Sequence, residues 1–285
     1  MPPERSPLIQ VDELWRLLAG PEYARPVVLD VRYRMSGATG RQEFERGHIP
    51  GASYVDMDTD LATIRSDAVG GRHPMPTVET FVAAMRYAGV TMSRPAVAYD
   101  DWASLPASRV WWMLRHLGFR NVRVLDGGIA AWTAADQPTE AGAGGSSIGD
   151  FAASSGGVGH LLNATDAASY AARHLLLDAR STDRFHGENE TIDPVAGHIP
   201  GAVSAPTLDN VDLDGRFLPA KELAARFEQL GAADTKRVGT YCGSGVQATH
   251  LALALSVAGI TDEADVYIGS WSDWITNPAR PIALG

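Results

Sequence analysis

Cys242 is the one cysteine in 285 residues, and it opens the run Cys242-Gly243-Ser244-Gly245-Val246-Gln247. A β-branched and aromatic stretch, Val238–Tyr241, precedes it, and an Ala/Leu-rich segment at helical spacing follows over 246–258. Strand, tight loop and helix in that order put the thiol at the carboxyl end of a strand. There the backbone N–H groups of residues 243–247 can curl around the sulfur, with a helix N-terminus behind them. Such surroundings stabilise a thiolate. A lone cysteine is more often a small buried hydrophobe, but the glycines on both sides of Ser244 and the strand–helix setting favour a nucleophile. One cysteine with scattered histidines offers no zinc-ligand spacing, so neither a metal nor another cofactor is expected.

Net charge and composition bound the partners. A formal charge of −10 argues against sequence-independent nucleic-acid binding, which needs basic patches. It also means that any anionic substrate must be gripped by local donors. Hydrophobic content of 45% with 20% charged residues is that of a soluble globular protein. No apolar run approaches the ~20 residues that span a bilayer, so no membrane partner is expected. The N-terminal residues lack a signal peptide's apolar core. A single cysteine excludes an internal disulfide, and the cytoplasm is the expected location.

The elements that must position Cys242 occur twice. Val28-Leu29-Asp30-Val31-Arg32 returns as Leu176-Leu177-Asp178-Ala179-Arg180, and Gly47-His48-Ile49-Pro50-Gly51-Ala52 as Gly197-His198-Ile199-Pro200-Gly201-Ala202. Asp126-Gly127-Gly128 with Trp132 returns as Ile268-Gly269-Ser270 with Trp274. This period far exceeds the ~20–50 residues of a solenoid and signals two copies of a domain. Each copy reads as alternating strands and helices: strands over Val27 to Val31, Ala96–Tyr99 and Val122–Leu125 in the first, over 175–179, Val238–Tyr241 and 264–268 in the second. Helices fall over Val11–Leu18, 78–88 and 109–117, then 166–173, 221–230 and 246–258. The expected fold is α/β, each copy a parallel β-sheet flanked by helices on both faces. Ligands gather beyond the carboxyl strand ends of such sheets.

Phe44 with His48-Ile49-Pro50-Gly51-Ala52, the repeated Leu-Asp-x-Arg strand, the Gly269-Ser270-Trp271-x-x-Trp274 ending and the Cys242-Gly243-Ser244-Gly245-Val246 loop together resemble the two-domain rhodanese family. The resemblance runs from about Val11 to Trp274. It implies a non-catalytic rhodanese-like domain over 1–140, a Gly/Ser-rich linker over 141–160 and a catalytic rhodanese-like domain over 161–285. It further implies transfer of a sulfane sulfur from a small-molecule donor, through a Cys242 persulfide, to a thiol or cyanide acceptor, thioredoxin among the candidates. The Cys-Gly-Ser-Gly-Val loop is similar to the 3-mercaptopyruvate branch of the family; the thiosulfate branch carries basic residues after the cysteine. Arg184 matches a family position that grips the donor's anionic end, and Gly243, Ser244, Gly245, Val246 and Gln247 would line the donor. The branch often carries a second arginine about seven residues before the His-Ile-Pro-Gly histidine, but Thr191 stands there with no basic neighbour. His48 matches a histidine described as linked to the loop serine and an acid, although residues 36–40 hold no acid. A Ser244–His48 relay is an expectation of the same kind, and Trp271 is expected to line or buttress the cleft. Arg32, Arg180 and His198, repeated in kind across both copies, read as structural.

The first copy aligns Asp100 with Cys242 and has one extra loop residue. A carboxylate cannot accept sulfur, so this copy is expected to be inactive. Two rivals remain. A cysteine phosphatase needs an arginine to clamp phosphate, and residues 243–279 hold no Lys or Arg. A non-enzymatic sulfur carrier or regulatory binding module would not need so intact a loop. The neutral Gly243-Ser244 pair favours 3-mercaptopyruvate over thiosulfate, because its formal charge lies several atoms from the sulfur.

Overall fold

Four-residue strands with every side chain buried form the framework of the computed structural model. It describes residues 6–63, 69–145, 147–235 and 237–285. The extreme N-terminus, Met1 to Arg5, and Ser146 of the expected linker lie outside them.

Two compact units divide the chain. The first contains β1 (Leu8–Ile9), α1 (Val11–Leu18), β2 (Val27–Asp30), α2 (Gly40–Arg46), β3 (Ser53–Tyr54), α3 (Val78–Tyr87), β4 (Ala96–Tyr99), α4 (Leu105–His116), β5 (Val122–Leu125) and α5 (Gly128–Ala134). Its sheet runs β1-β5-β4-β2-β3, all parallel. The second contains α6 (Ala164–Ala171), β6 (Leu175–Asp178), α7 (Thr182–His186), β7 (Val203–Ser204), α8 (Ala220–Gln229), β8 (Val238–Tyr241), α9 (Val246–Val257), β9 (Asp265–Val266) and α10 (Ser270–Trp274). Its sheet runs β7-β6-β8-β9, again all parallel, with Asp178 in register with Tyr241. Sheets covered on both faces explain the continuous apolar strands.

The units are not a simple cut of the sequence. Residues 62–75 belong to the second unit and 213–217 to the first. The two exchanged segments share a Gly-Arg pair, Gly71-Arg72 and Gly215-Arg216.

Paired Asp and Arg residues anchor each sheet's carboxyl edge. Arg180 donates from Nε and Nη2 to both oxygens of Asp178 (3.1 and 2.6 Å) and from Nη2 to Gly197 O (2.7 Å). Arg32 repeats this fork with Asp30 and Gly47 O. Both are structural, as the repetition predicted, and each ties a strand end to its Pro-Gly turn. His198 donates from Nδ1 to Phe185 O (2.8 Å) and stacks on the Phe185 ring, and burial pushes its pKa down.

The Gly/Ser-rich stretch after α5 is strapped to the first unit. Gly145 N, Gly149 N, Phe151 N and Ser154 N donate to Ala52 O, Arg86 O, Val90 O and Leu117 O, and Phe151 is fully buried. Glycine is required here by close approach: a Cβ on Gly149 would sit 2.0 Å from Val90 O. Helix α4 starts four residues before its expected beginning. Pro106 lies in the first turn, where a missing N–H costs nothing, and Asp100 Oδ2 accepts the N–H of Ala107 (2.8 Å). Helices α7 and α10, five residues each, are too short to show a period.

Gly149→Ala is expected to destabilise the first unit by ~1–3 kcal/mol, because the clash is with backbone. Urea unfolding checks this; an unchanged midpoint would mean that the stretch is a free tether.

Candidate active site

The loop between β8 and α9 holds its carbonyls outward and its sulfur inward. Trp271 N donates to Cys242 O (2.8 Å) and Ser272 N to Gly243 O (2.9 Å), so the first N–H groups of α10 take both carbonyls. With those two carbonyls held, Gly245 N donates to Cys242 Sγ at 3.0 Å. Gly245 has φ +85°, and a Cβ there would strike Ile268 O at 2.2 Å, so only glycine closes this curl. Behind it α9 is apolar on nearly every face and almost wholly buried, a rigid base for the loop. Cys242 is buried. Ser244 and Gln247 are half-buried and Val246 is buried at the first helical position. No side chain caps α9, whose N-cap is Gly245, so capping does not account for Ser244.

The mouth of this loop is not neutral. A Cβ on Gly243 would lie 2.9 Å from Arg72 Nη2 and 3.6 Å from both terminal nitrogens of Arg184. The carboxylate of Asp193, nearly inaccessible, bridges the two guanidinium groups: Arg72 Nη1 donates to Oδ1 and Arg184 Nη2 to Oδ2 (2.8 Å). Glu190 orients Arg184 further, accepting from its Nε at 3.0 and 3.1 Å. Burial opposes the Glu190 charge. The N–H groups of Asp193 and Ile192 together with Arg184 outweigh it and hold the carboxyl below its ordinary value. Residues 188–193, where no basic residue stands, thus supply the acids that aim the arginines. Arg72 is the residue that sequence reasoning missed. It lies 170 residues before Cys242, and the one signal for it was the Gly71-Arg72 pair recurring as Gly215-Arg216. The inference from a cation-free segment to a neutral mouth is thereby corrected.

The remaining expected residues serve their own units. Trp271 is fully buried, donates from Nε1 to Val195 O (2.8 Å) and lies under Arg180, so it buttresses the turn and does not line an open cleft. Trp274 and Trp132 make the equivalent bonds to Pro281 O and Pro138 O. His48 is fully buried. Its Nδ1 donates to Phe44 O (2.8 Å), and its Nε2 lies 3.2 Å from Glu140 Oε1, leaving neither nitrogen for a serine relay.

In the first unit the loop is filled by its own anion. Five residues separate β4 from α4, against four between β8 and α9. Asp100 accepts N–H groups from Trp102 (2.8 Å), Ser104 (3.0 Å) and Ala107 (2.8 Å). Ser104 N corresponds to Gly245 N, each the N-cap of its helix. Burial nonetheless raises the Asp100 pKa to about 6, the three donors offsetting only part of the cost.

Comparison with known proteins agrees with this architecture. The rhodanese-like domain model matches residues 10–135 and 160–277, and the chain belongs to that family. It is 40% identical over 286 residues to the "Probable 3-mercaptopyruvate sulfurtransferase" of Pseudomonas aeruginosa, covering 98% of each. It is 32% identical over 303 residues to thiosulfate/3-mercaptopyruvate sulfurtransferase 1, mitochondrial, of Arabidopsis thaliana, covering 97% of this chain and 78% of the relative. Among solved structures, SseA from Escherichia coli, a 3-mercaptopyruvate sulfotransferase by its description, superposes with a TM-score of 0.78 at 30% identity. That match covers 94% of this chain and 100% of SseA.

The Asp100 shift has a definite sign. Its folded pKa of about 6 exceeds the ordinary 3.8, so the folded state holds the extra proton between those values, and its contribution falls as pH rises through the window. Asp100→Asn removes the dependence. The unfolding free energy of wild type minus that of the variant is expected to drop by ~2–3 kcal/mol between pH 4 and pH 7. A flat difference would show that the three N–H groups fully compensate the buried charge.

Proposed function

We propose that this chain moves a sulfane sulfur from a small anionic donor to a thiophilic acceptor through a persulfide on Cys242. The observation that carries the reading is the Cys242 sulfur under the Gly245 N–H with the Arg72–Asp193–Arg184 assembly beside Gly243. With 3-mercaptopyruvate, the thiolate attacks the donor sulfur. The carbon–sulfur bond breaks, its electron pair leaves on carbon, and the resulting enolate of pyruvate takes up a proton. The sulfur stays on Cys242 as a persulfide whose negative charge faces loop N–H groups. An acceptor thiol or cyanide then attacks the outer sulfur and returns the thiolate. Thioredoxin fits as a thiol acceptor, and a reducing cytoplasm would keep Cys242 ready.

Two guanidinium groups locked by one carboxylate grip a donor carboxylate without reorganising. Asp193 and Glu190 balance their formal charge, so what the two arginines bring near the sulfur is a set of fixed guanidinium N–H donors that the loop's own side chains lack. Thiosulfate, a dianion, is therefore a second substrate that the mouth can accept, while the neutral Ser244 suits the carbonyl of 3-mercaptopyruvate. We place 3-mercaptopyruvate first. The first unit, with Asp100 in its loop, takes no sulfur. We read residues 1–140 as this non-catalytic domain, 161–285 as the catalytic one, and the stretch between as the connection.

Steady-state assays with each donor and cyanide test the reading. Cys242→Ser is expected to abolish transfer, which a carrier or regulatory module would never have shown. Arg72→Ala and Arg184→Ala are each expected to lower kcat/KM for 3-mercaptopyruvate about 10- to 100-fold, the worth of one charged hydrogen bond. A kcat/KM higher for thiosulfate than for 3-mercaptopyruvate would reverse the donor assignment.

A further inference from the structure

A cavity of about 340 Å³ opens on the first unit, at the end of its sheet opposite the Asp100 loop. It lies where β2, β3 and β4 begin: Val27 starts β2, Pro50 and Gly51 precede β3, and Arg94 stands just before β4. Asp100 follows the other end of β4, so the cavity is separate from the loop that matches the Cys242 loop. Trp15 with Leu18, Val27, Pro50 and Ala88 gives it an apolar wall. The Trp15 side chain is 40% exposed, yet it stands edge-on to the fully buried Trp132, with ring centroids 6.1 Å apart. The glycine-rich stretch after α5 closes one side, where Gly145 N donates to Ala52 O (2.8 Å) and Ser53 Oγ to Gly145 O (3.2 Å). The wall is thus built without a ligand, as small-molecule sites generally are.

Two arginines give this cavity its charge. Arg25 donates from Nε to Gly20 O (2.8 Å), and the half-buried Arg94 side chain has no hydrogen bond or ion pair with the described residues. No Asp or Glu is among the described residues that line the cavity. Elsewhere in the unit Arg32, Arg34, Arg46 and Arg123 each meet a carboxylate. In a protein of net charge −10, two arginines without one, beside aromatic surface, make a local site for an anion. The fold does not ask for this wall. Leu8 beside Val124 corresponds to Leu161 beside Val266, and counting on from them puts the exposed Ala168 where Trp15 stands. We propose that the cavity binds a small aromatic carboxylate, its ring against Trp15 and its carboxylate on Arg25 and Arg94. The volume is near the lower end of the ~300–1,000 Å³ usual for such sites, and it suits one or two fused rings. This binding is independent of the sulfur-transfer reading.

Calorimetric titration of the full chain with 1-naphthoate, and with its neutral counterpart 1-naphthamide, tests the proposal. Naphthoate is expected to fill a single site about tenfold more tightly than naphthamide, the advantage of a charged over a neutral hydrogen bond. Trp15→Ala and Arg94→Gln are each expected to weaken naphthoate about five- to tenfold. Arg94→Gln should also erase most of the preference for the acid over the amide, whereas Trp15→Ala should weaken both ligands alike. Neither side chain is fully buried, so both variants are expected to melt cooperatively, and the melt shows that each is folded. Arg72→Ala is expected to leave naphthoate binding unchanged; weaker binding in that variant would move the ligand to the mouth of the Cys242 loop and overturn the proposal. Equal affinity for acid and amide would overturn it, as would wild-type affinity in either folded variant. So would the absence of saturable heat at naphthoate concentrations of about 10 mM, weaker than any affinity such a pocket should give.

Discussion

The orientation of two peptide groups governs the site. Because the first N–H groups of α10 take the carbonyls of Cys242 and Gly243, the loop cannot present those oxygens to the sulfur. An anion at this point then meets N–H dipoles, whose stabilisation in a buried setting costs no reorganisation during reaction. The first unit shows the same constraint with different contents: Ile129 N holds Asp100 O at 2.9 Å, and the Asp100 carboxylate fills the cradle. One copy stores a carboxyl group of its own where the other would form a transient anion. The fold supplies the cradle, and residue 100 or 242 decides whether it reacts.

Charge near the sulfur is a local construction within an acidic protein. With a net charge of −10, long-range attraction of an anionic donor is absent, and the grip depends on where two arginines are held. Asp193 and Glu190 hold them, both carboxylates nearly inaccessible. A buried carboxylate needs the guanidinium groups as much as it aims them, so loss of any member strands a charge. The site is therefore stiff, and it distinguishes donors by where their charge lies along a rigid mouth.

The sequence made the catalytic loop and its framework legible because they are local. Val238–Tyr241 and Ala96–Tyr99 are strands with the expected bounds, since continuous apolar β-branched runs have few alternatives. The extra residue beside Asp100 was countable from the alignment of the two copies. What escaped were long-range or short-period features. Arg72 reaches the loop from residues 62–75, which no local pattern assigns to the second unit. Helices α7 and α10 are too brief for periodicity, yet they carry Arg184, Ser270 and Trp271. The glycines after α5 read as slack chain from composition, whereas contacts such as that of Gly149 with Val90 O make them points of close packing.

The most direct measurement is the intact mass of the purified protein after brief exposure to 3-mercaptopyruvate without acceptor, with the modified peptide located by fragmentation. The account predicts a gain of one sulfur atom on Cys242, removed by cyanide, and none in the first unit. An unchanged mass with both 3-mercaptopyruvate and thiosulfate would contradict it.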